Sequence, residues 1–151
     1  MGTIDLMKKK STNKTEQITK YKTLVQSGRG NKVKIKKSNF IASAYNITKV
    51  EDKTRILEEV TKEMKKASHN AWALRCETSS GIWEDSSDDG EVSGCAGKPI
   101  MVTLQQLQLV NILVIVTRYY GGINLGPAGL IKAYSSTARQ LIENIGYEDI
   151  E

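Results

Sequence analysis

Residues 111–129 read NILVIVTRYYGGINLGPAG, and the fold turns on this stretch. Asn111 to Thr117 is an aliphatic, β-branched run without alternation, the pattern of a strand buried on both faces. Beyond it, Leu130, Tyr134, Leu141 and Ile145 recur at helical spacing with Ile131, Ala138 and Ile142 beside them, so a long amphipathic helix is expected. Between the two lies Arg118-Tyr119-Tyr120 and a turn carrying Gly121, Gly122, Gly126 and Gly129. Glycine backbone can be approached closely, and a helix beginning near Pro127 would aim free N–H groups at the turn, so an anion could sit there. The plain alternative is that the glycines only let a strand turn sharply onto its own helix. Spacing leaves both readings open.

Upstream, Ile82 to Gly97 reads IWEDSSDDGEVSGCAG. Glu84, Asp85, Asp88, Asp89 and Glu91 crowd into eight residues, followed by small residues and by Pro99, which suits a helix start. This is expected to be an acidic loop, able to hold a divalent cation through carboxylates or simply to stay in water. A helical stripe of Ile100, Met101, Leu104 and Leu107 leads to the central strand. Before the loop, Ala71 to Glu77 reads as a strand, with His69 at its entry and no acid partner for it evident from sequence. Thr48 to Glu51 has capping-box spacing, and Ile56, Leu57, Val60 and Met64 then form one face of a helix expected to cover a sheet. Phe40 opens an extended run through Ile47, and a hairpin is expected from a short strand at 21–25, turn chemistry at 27–31 and a strand at 33–36.

Composition bounds the rest. A chain of 151 residues with 39% hydrophobic content supports one core. No apolar run approaches a bilayer span, and the first twenty residues lack the apolar segment of a secretory signal, so no membrane association and a cytoplasmic location are expected. Cys76 and Cys95 are too few for a disulfide framework and have no zinc spacing, and one histidine excludes a histidine-rich metal site. Neither a metal nor a cofactor is expected. The net charge of +5 is uneven: residues 1–38 hold 11 of the 22 Lys and Arg with only Asp5 and Glu16, a net of +9 against −4 for the remainder. Residues 1–20, with Lys8, Lys9 and Lys10, read as a disordered basic arm able to contact RNA phosphates, ahead of one domain at 21–151.

Three stretches together carry a resemblance: ASHNAWALR at 67–75, DDGEVSGCAG at 88–97 and VTRYYGGINLGPAGL at 116–130. In this order they resemble the Impact family (the Impact amino-terminal-domain family), which includes bacterial YigZ-type proteins and eukaryotic Impact regulators of translation. The likeness runs from about Lys37 to Ile145. It implies an α+β domain similar to the second domain of small-subunit ribosomal protein S five, a β-sheet with helices packed on one face. Val92 and Cys95 stand where bacterial members usually have proline and threonine, and Leu125 to Leu130 mixes bacterial and eukaryotic features. The chain is expected to be the family core alone, without the ferredoxin-like or RWD domains of longer members.

The resemblance implies regulation of translation in the stress response. The partner would be the large HEAT-repeat activator of the amino-acid-starvation kinase, or the ribosome. An RNA-binding module using the basic arm is the alternative. A third reading is a phosphate-ligand enzyme, with Arg118 and the glycine turn clamping phosphate, Asp88, Asp89 or Glu91 as metal ligand or base, and Cys95 as nucleophile with His69 as base. The chain lacks a complete phosphate-loop motif and a second histidine, so a binding role is expected over an enzymatic one. The motif surface is then Asp88, Asp89, Gly90, Glu91, Gly94, Gly97, Arg118, Tyr119, Tyr120, Gly121, Gly122, Gly126 and Gly129. Arg118 is expected to pair with one of the three acids and tie the two motif loops together. Adjacent in extended chain, Tyr119 and Tyr120 would point to opposite sides.

Overall fold

The run Ile112–Tyr119 forms the central strand of a six-stranded antiparallel sheet in a computed structural model that describes residues 20–150. In chain order the elements are β1 (Lys22–Leu24), β2 (Gly28–Arg29), β3 (Val33–Ile35), β4 (Ser38–Asn46), α1 (Asp52–Glu63), β5 (His69–Thr78), β6 (Gly81–Ser87), α2 (Gly97–Gln106), β7 (Ile112–Tyr119), α3 (Gly126–Ile145) and β8 (Tyr147–Asp149). The sheet runs β2-β4-β7-β5-β6, with β3 also on the outer side of β4, and β1 and β8 form a separate two-stranded ribbon. The architecture is α+β, with a sheet and three helices. The expectations for residues 1–19, Lys8 to Lys10 among them, lie outside the described residues.

β7 is flanked by β4 and β5, so both its hydrogen-bonding edges are paired, and its side chains on either face meet a hydrophobic cluster. Ile112, Val114 and Val116 pack under α2 and α3 with Phe40, Ile100, Leu104, Tyr134 and Ile142. Leu113 and Ile115 project to the other side, where Ile56 and Val60 of α1, and Met64 just past its end, join Leu74 and Cys76. The helices therefore divide between the faces, two and one, where packing on a single face was expected. The unbroken apolar run in β7 has this cause: a strand apolar on both sides needs cover on both.

Other elements differ from expectation. The strand at 22–24 pairs with β8 at the far end of the chain, and the hairpin forms instead between β3 and β4. Its two-residue turn, Lys36-Lys37, has positive φ at both positions (45° and 69°), the twist that joins antiparallel strands tightly. The first part of the acidic segment is no loop: Gly81–Ser87 is an edge strand, paired Trp72↔Ser87 through Thr78↔Gly81. Its exposure is mixed on both faces, so it has no clean period of two to read. At α1, Thr48 and Glu51 make no capping box. Asp52 Oδ2 accepts the backbone N–H groups of Thr48 (3.0 Å) and Lys49 (3.3 Å), and the Thr48 bond above all holds its carboxyl below the usual range.

Candidate functional site

Strand register creates the site. Arg118 near the end of β7 lies opposite Phe40 on β4 and His69 on β5, so three residues far apart in sequence share one face of the sheet. Tyr134 of α3 closes over them, its ring edge-on to Phe40 at 5.3 Å between centroids. The guanidinium, in a residue only 4% exposed, is fully engaged. Nη1 donates to both oxygens of Glu91 (3.0 and 2.9 Å), and Nε and Nη2 donate to Ser38 Oγ (3.3 and 3.2 Å). Glu91, with a side chain 5% exposed, also accepts the Tyr134 hydroxyl at 2.6 Å. Burial first, then the bond to Glu91, pushes the Tyr134 phenol well above its ordinary range, so it stays a donor. Ser38 Oγ takes a third donor, Gly121 N–H at 3.1 Å. Arg118 thus ties the acidic loop to the glycine turn.

The acidic loop is held by its own aspartates. Asp88 accepts backbone N–H groups of Gly94 (2.9 Å), Ala96 (3.2 Å) and Gly97 (2.9 Å), and so stitches the loop to the start of α2. Burial opposes its ionisation, but these three donors outweigh that cost and leave its carboxyl below the usual range. Asp89 Oδ2 accepts Asn70 N–H at 2.7 Å, and its carbonyl lies 2.9 Å from His69 Nδ1. A carbonyl can only accept, so Nδ1 carries a proton and Nε2 faces Glu91 Oε1 at 3.5 Å. Gly90 sits at φ +83 against the His69 ring. A Cβ at Gly97 would meet the Ser87 carbonyl oxygen at 2.7 Å, and one at Gly121 would collide with the Lys37 backbone, so both are sites of close approach. Gly94, Gly122 and Gly126 have positive φ in open space, and Gly129 packs on Leu125.

The two tyrosines part. Tyr119 turns to the α1 face, its hydroxyl 3.9 Å from Met64 Sδ, whereas Tyr120 is 50% exposed and lies over the Arg118 guanidinium at 5.2 Å. The Tyr120 hydroxyl donates to Asn124 and its N–H to Ser68 Oγ, which fixes it on the glycine turn. Ser38, Phe40 and Tyr134 belong to the site although none of the three motif stretches includes them, and Ser68, within the 67–75 stretch, joins them. Tyr134 had a sequence signal in its place on the apolar stripe of α3, and Phe40 in opening the β4 run; the two serines had none.

This arrangement withdraws the parts of a phosphate clamp. Arg118 is enclosed and paired, Asp88 is spent on backbone, His69 faces Asp89 and Glu91, and Cys95 is buried. Among the described residues, no three His, Cys, Asp or Glu side chains converge as metal ligands would. No helix among them is long and apolar enough to cross a membrane.

Comparison with known proteins places these features in a family. The model of the Impact N-terminal domain matches residues 36–142. An IMPACT family member of Haemophilus influenzae is 38% identical over 115 residues, covering 76% of this chain and 56% of the relative. YigZ of Escherichia coli is 38% identical over 118 residues, 74% of this chain and 55% of the relative. The protein IMPACT homolog of Saccharomyces cerevisiae is 31% identical over 115 residues, 74% and 43%. The chain spans about half the length of the curated relatives it matches. Among solved structures, a hypothetical protein superimposes with TM-score 0.78 at 31% identity, covering 87% of this chain and 64% of that one. The two-domain translational regulator Yih1 superimposes with TM-score 0.54 at 27% identity, covering 81% and 48%.

Proposed function

Because the chain belongs to the Impact N-terminal domain family, we propose that it regulates translation by binding a protein partner on the surface built by its two motif loops. One observation carries this reading: the buried Glu91–Arg118 pair locks both loops into a rigid platform that exposes large apolar side chains among polar ones. Val92 (51%), Tyr120 (50%) and Ile123 (40%) flank the locked pair and stay exposed. Tyrosine over an arginine plane is a rigid, amphipathic anchor that loses little entropy on binding. Arg118 acts from beneath as scaffold. The partner class is the one the family resemblance implies, the HEAT-repeat activator of the starvation kinase, with the ribosome as the second candidate. The yeast regulator among the relatives supports the translational role.

The test is affinity capture of the full chain from cell lysate, with and without nuclease, beside a Tyr120→Ala variant of unchanged melting temperature. A HEAT-repeat protein that survives nuclease and is lost with Tyr120→Ala supports the proposal. Capture of ribosomes or RNA alone, released by nuclease, transfers the function to RNA binding.

A further inference from the structure

The basic character of the chain does not end with the residues outside the described region. Of the 11 Lys and Arg before residue 39, seven fall between Lys20 and Lys37, and no Asp or Glu occurs from Lys20 through Val50. Lys22 and Arg29 are matched, with Asp149 and Glu63. Lys32, Lys34, Lys36 and Lys37 are exposed on β3 and its turn, and no ion pair among the described residues involves them. A second element contributes. Lys132 of α3 and Lys36 line a groove of about 300 Å³ between that turn and the helix, with Ile35, Leu125, Gly129 and Ser136 as its other main walls. Further along α3, Asn31, Gln140 and Asn144 line a smaller cleft. Neither contains a carboxylate or an aromatic ring.

Lysines on an edge strand also deter edge-to-edge pairing. That role accounts for Lys34 on β3. It does not account for Lys132, which belongs to a helix and shares with Lys36 a groove that is otherwise largely apolar, or for the smaller cleft beside it, whose polar walls are amides and a hydroxyl without one acid.

We infer that this β3–α3 edge binds the phosphodiester backbone of duplex RNA. Unpaired cations supply phosphate affinity through counterion release, without reading sequence. With no ring to stack unpaired bases, the clefts favour a duplex whose bases already stack on one another. Asn31, Ser136, Gln140 and Asn144 offer partners to the 2′-hydroxyls that distinguish RNA from DNA. Lys37 packs against Gly121, so the edge adjoins the motif platform and the two surfaces can be occupied side by side.

Fluorescence polarisation of the full chain with a short labelled RNA duplex, titrated across a salt series, tests this. Two variants each lose four lysines: Lys34, Lys36, Lys37 and Lys132→Gln at the edge, and Lys8, Lys9, Lys10 and Lys14→Gln in the amino-terminal segment. The edge variant is expected to weaken binding at least about tenfold at low salt. It should also flatten the slope of log K against log salt by about 3–4, close to one per lost phosphate contact. The amino-terminal variant should change the slope by less than about one. Should thermal melting show the edge variant unfolded, Lys34→Gln with Lys132→Gln leaves the turn intact and is expected to flatten the slope by about two. Equal losses from both sets, or a larger loss from the amino-terminal set, overturn the proposal. So does binding of single-stranded RNA or duplex DNA of the same length as tightly as the RNA duplex.

Discussion

Replacing Glu91 by glutamine keeps its shape and removes its charge, which leaves the Arg118 guanidinium buried without a counter-ion. Breaking a dry pair from one side is among the most costly single changes, so Glu91→Gln is expected to lose about 3–5 kcal/mol in urea unfolding. Adding Arg118→Met removes the stranded charge. The double variant should then be more stable than the sum of the singles predicts, by about 1–3 kcal/mol of coupling. Asp88 gives a pH dependence of definite sign. Its native pKa is depressed, so its contribution is complete above the ordinary carboxylate value of about 3.9 and disappears as pH falls through the lower native value. Asp88→Asn should cost roughly 1–2 kcal/mol at neutral pH, and the gap to the parent should shrink between pH 4 and pH 2 as the parent protonates. A constant gap across that range would remove Asp88 from the acid-sensitive groups. The need for an arginine, an acid and glycines was legible in the motifs. That Glu91 is the acid which pairs was not, because Asp88, Asp89 and Glu91 differ only in which backbone groups lie within reach after folding.

Two close approaches set the geometry of the elements. The Lys36-Lys37 turn fits against the glycine turn only because Gly121 has no side chain, and Ser87 meets the start of α2 only at Gly97. Gly121→Ala should therefore destabilise by about 3 kcal/mol through overpacking, measured by thermal or urea melts. Gly122→Ala, at φ +91 with nothing nearby, should cost only about 1–2 kcal/mol of backbone strain. Equal costs would mean that the hairpin does not press on the turn. Long elements were legible: β7 by its unbroken apolar run, and α3 by its stripe and Pro127. Short edge elements were not. β6 and β8 are partly exposed on both faces, so no periodicity marks them, and β8 exists through pairing with β1, more than a hundred residues away.

At the scale of the molecule, β7 belongs to both hydrophobic layers, one under α2 and α3 and one under α1. A loss on one face should be felt by the whole. Ile56→Ala in α1 should cost about 2–5 kcal/mol, and tryptophan fluorescence and far-ultraviolet circular dichroism should shift together in urea. Separate transitions would make the α1 layer an independent unit. The amino-acid sequence alone determined the central strand, the three amphipathic helices, the family and the two motif loops, because these rest on local periodicity and on residue types at fixed spacing. Only the tertiary structure decided that helices cover both faces, that Ser38, His69 and Tyr134 gather around Glu91 and Arg118, and that Tyr120 is the exposed tyrosine. It also decided that the basic segment extends onto the folded edge beside Lys132. Those facts depend on strand register and on which surfaces meet, and register is set by pairings between residues too distant in the chain for any local pattern to record.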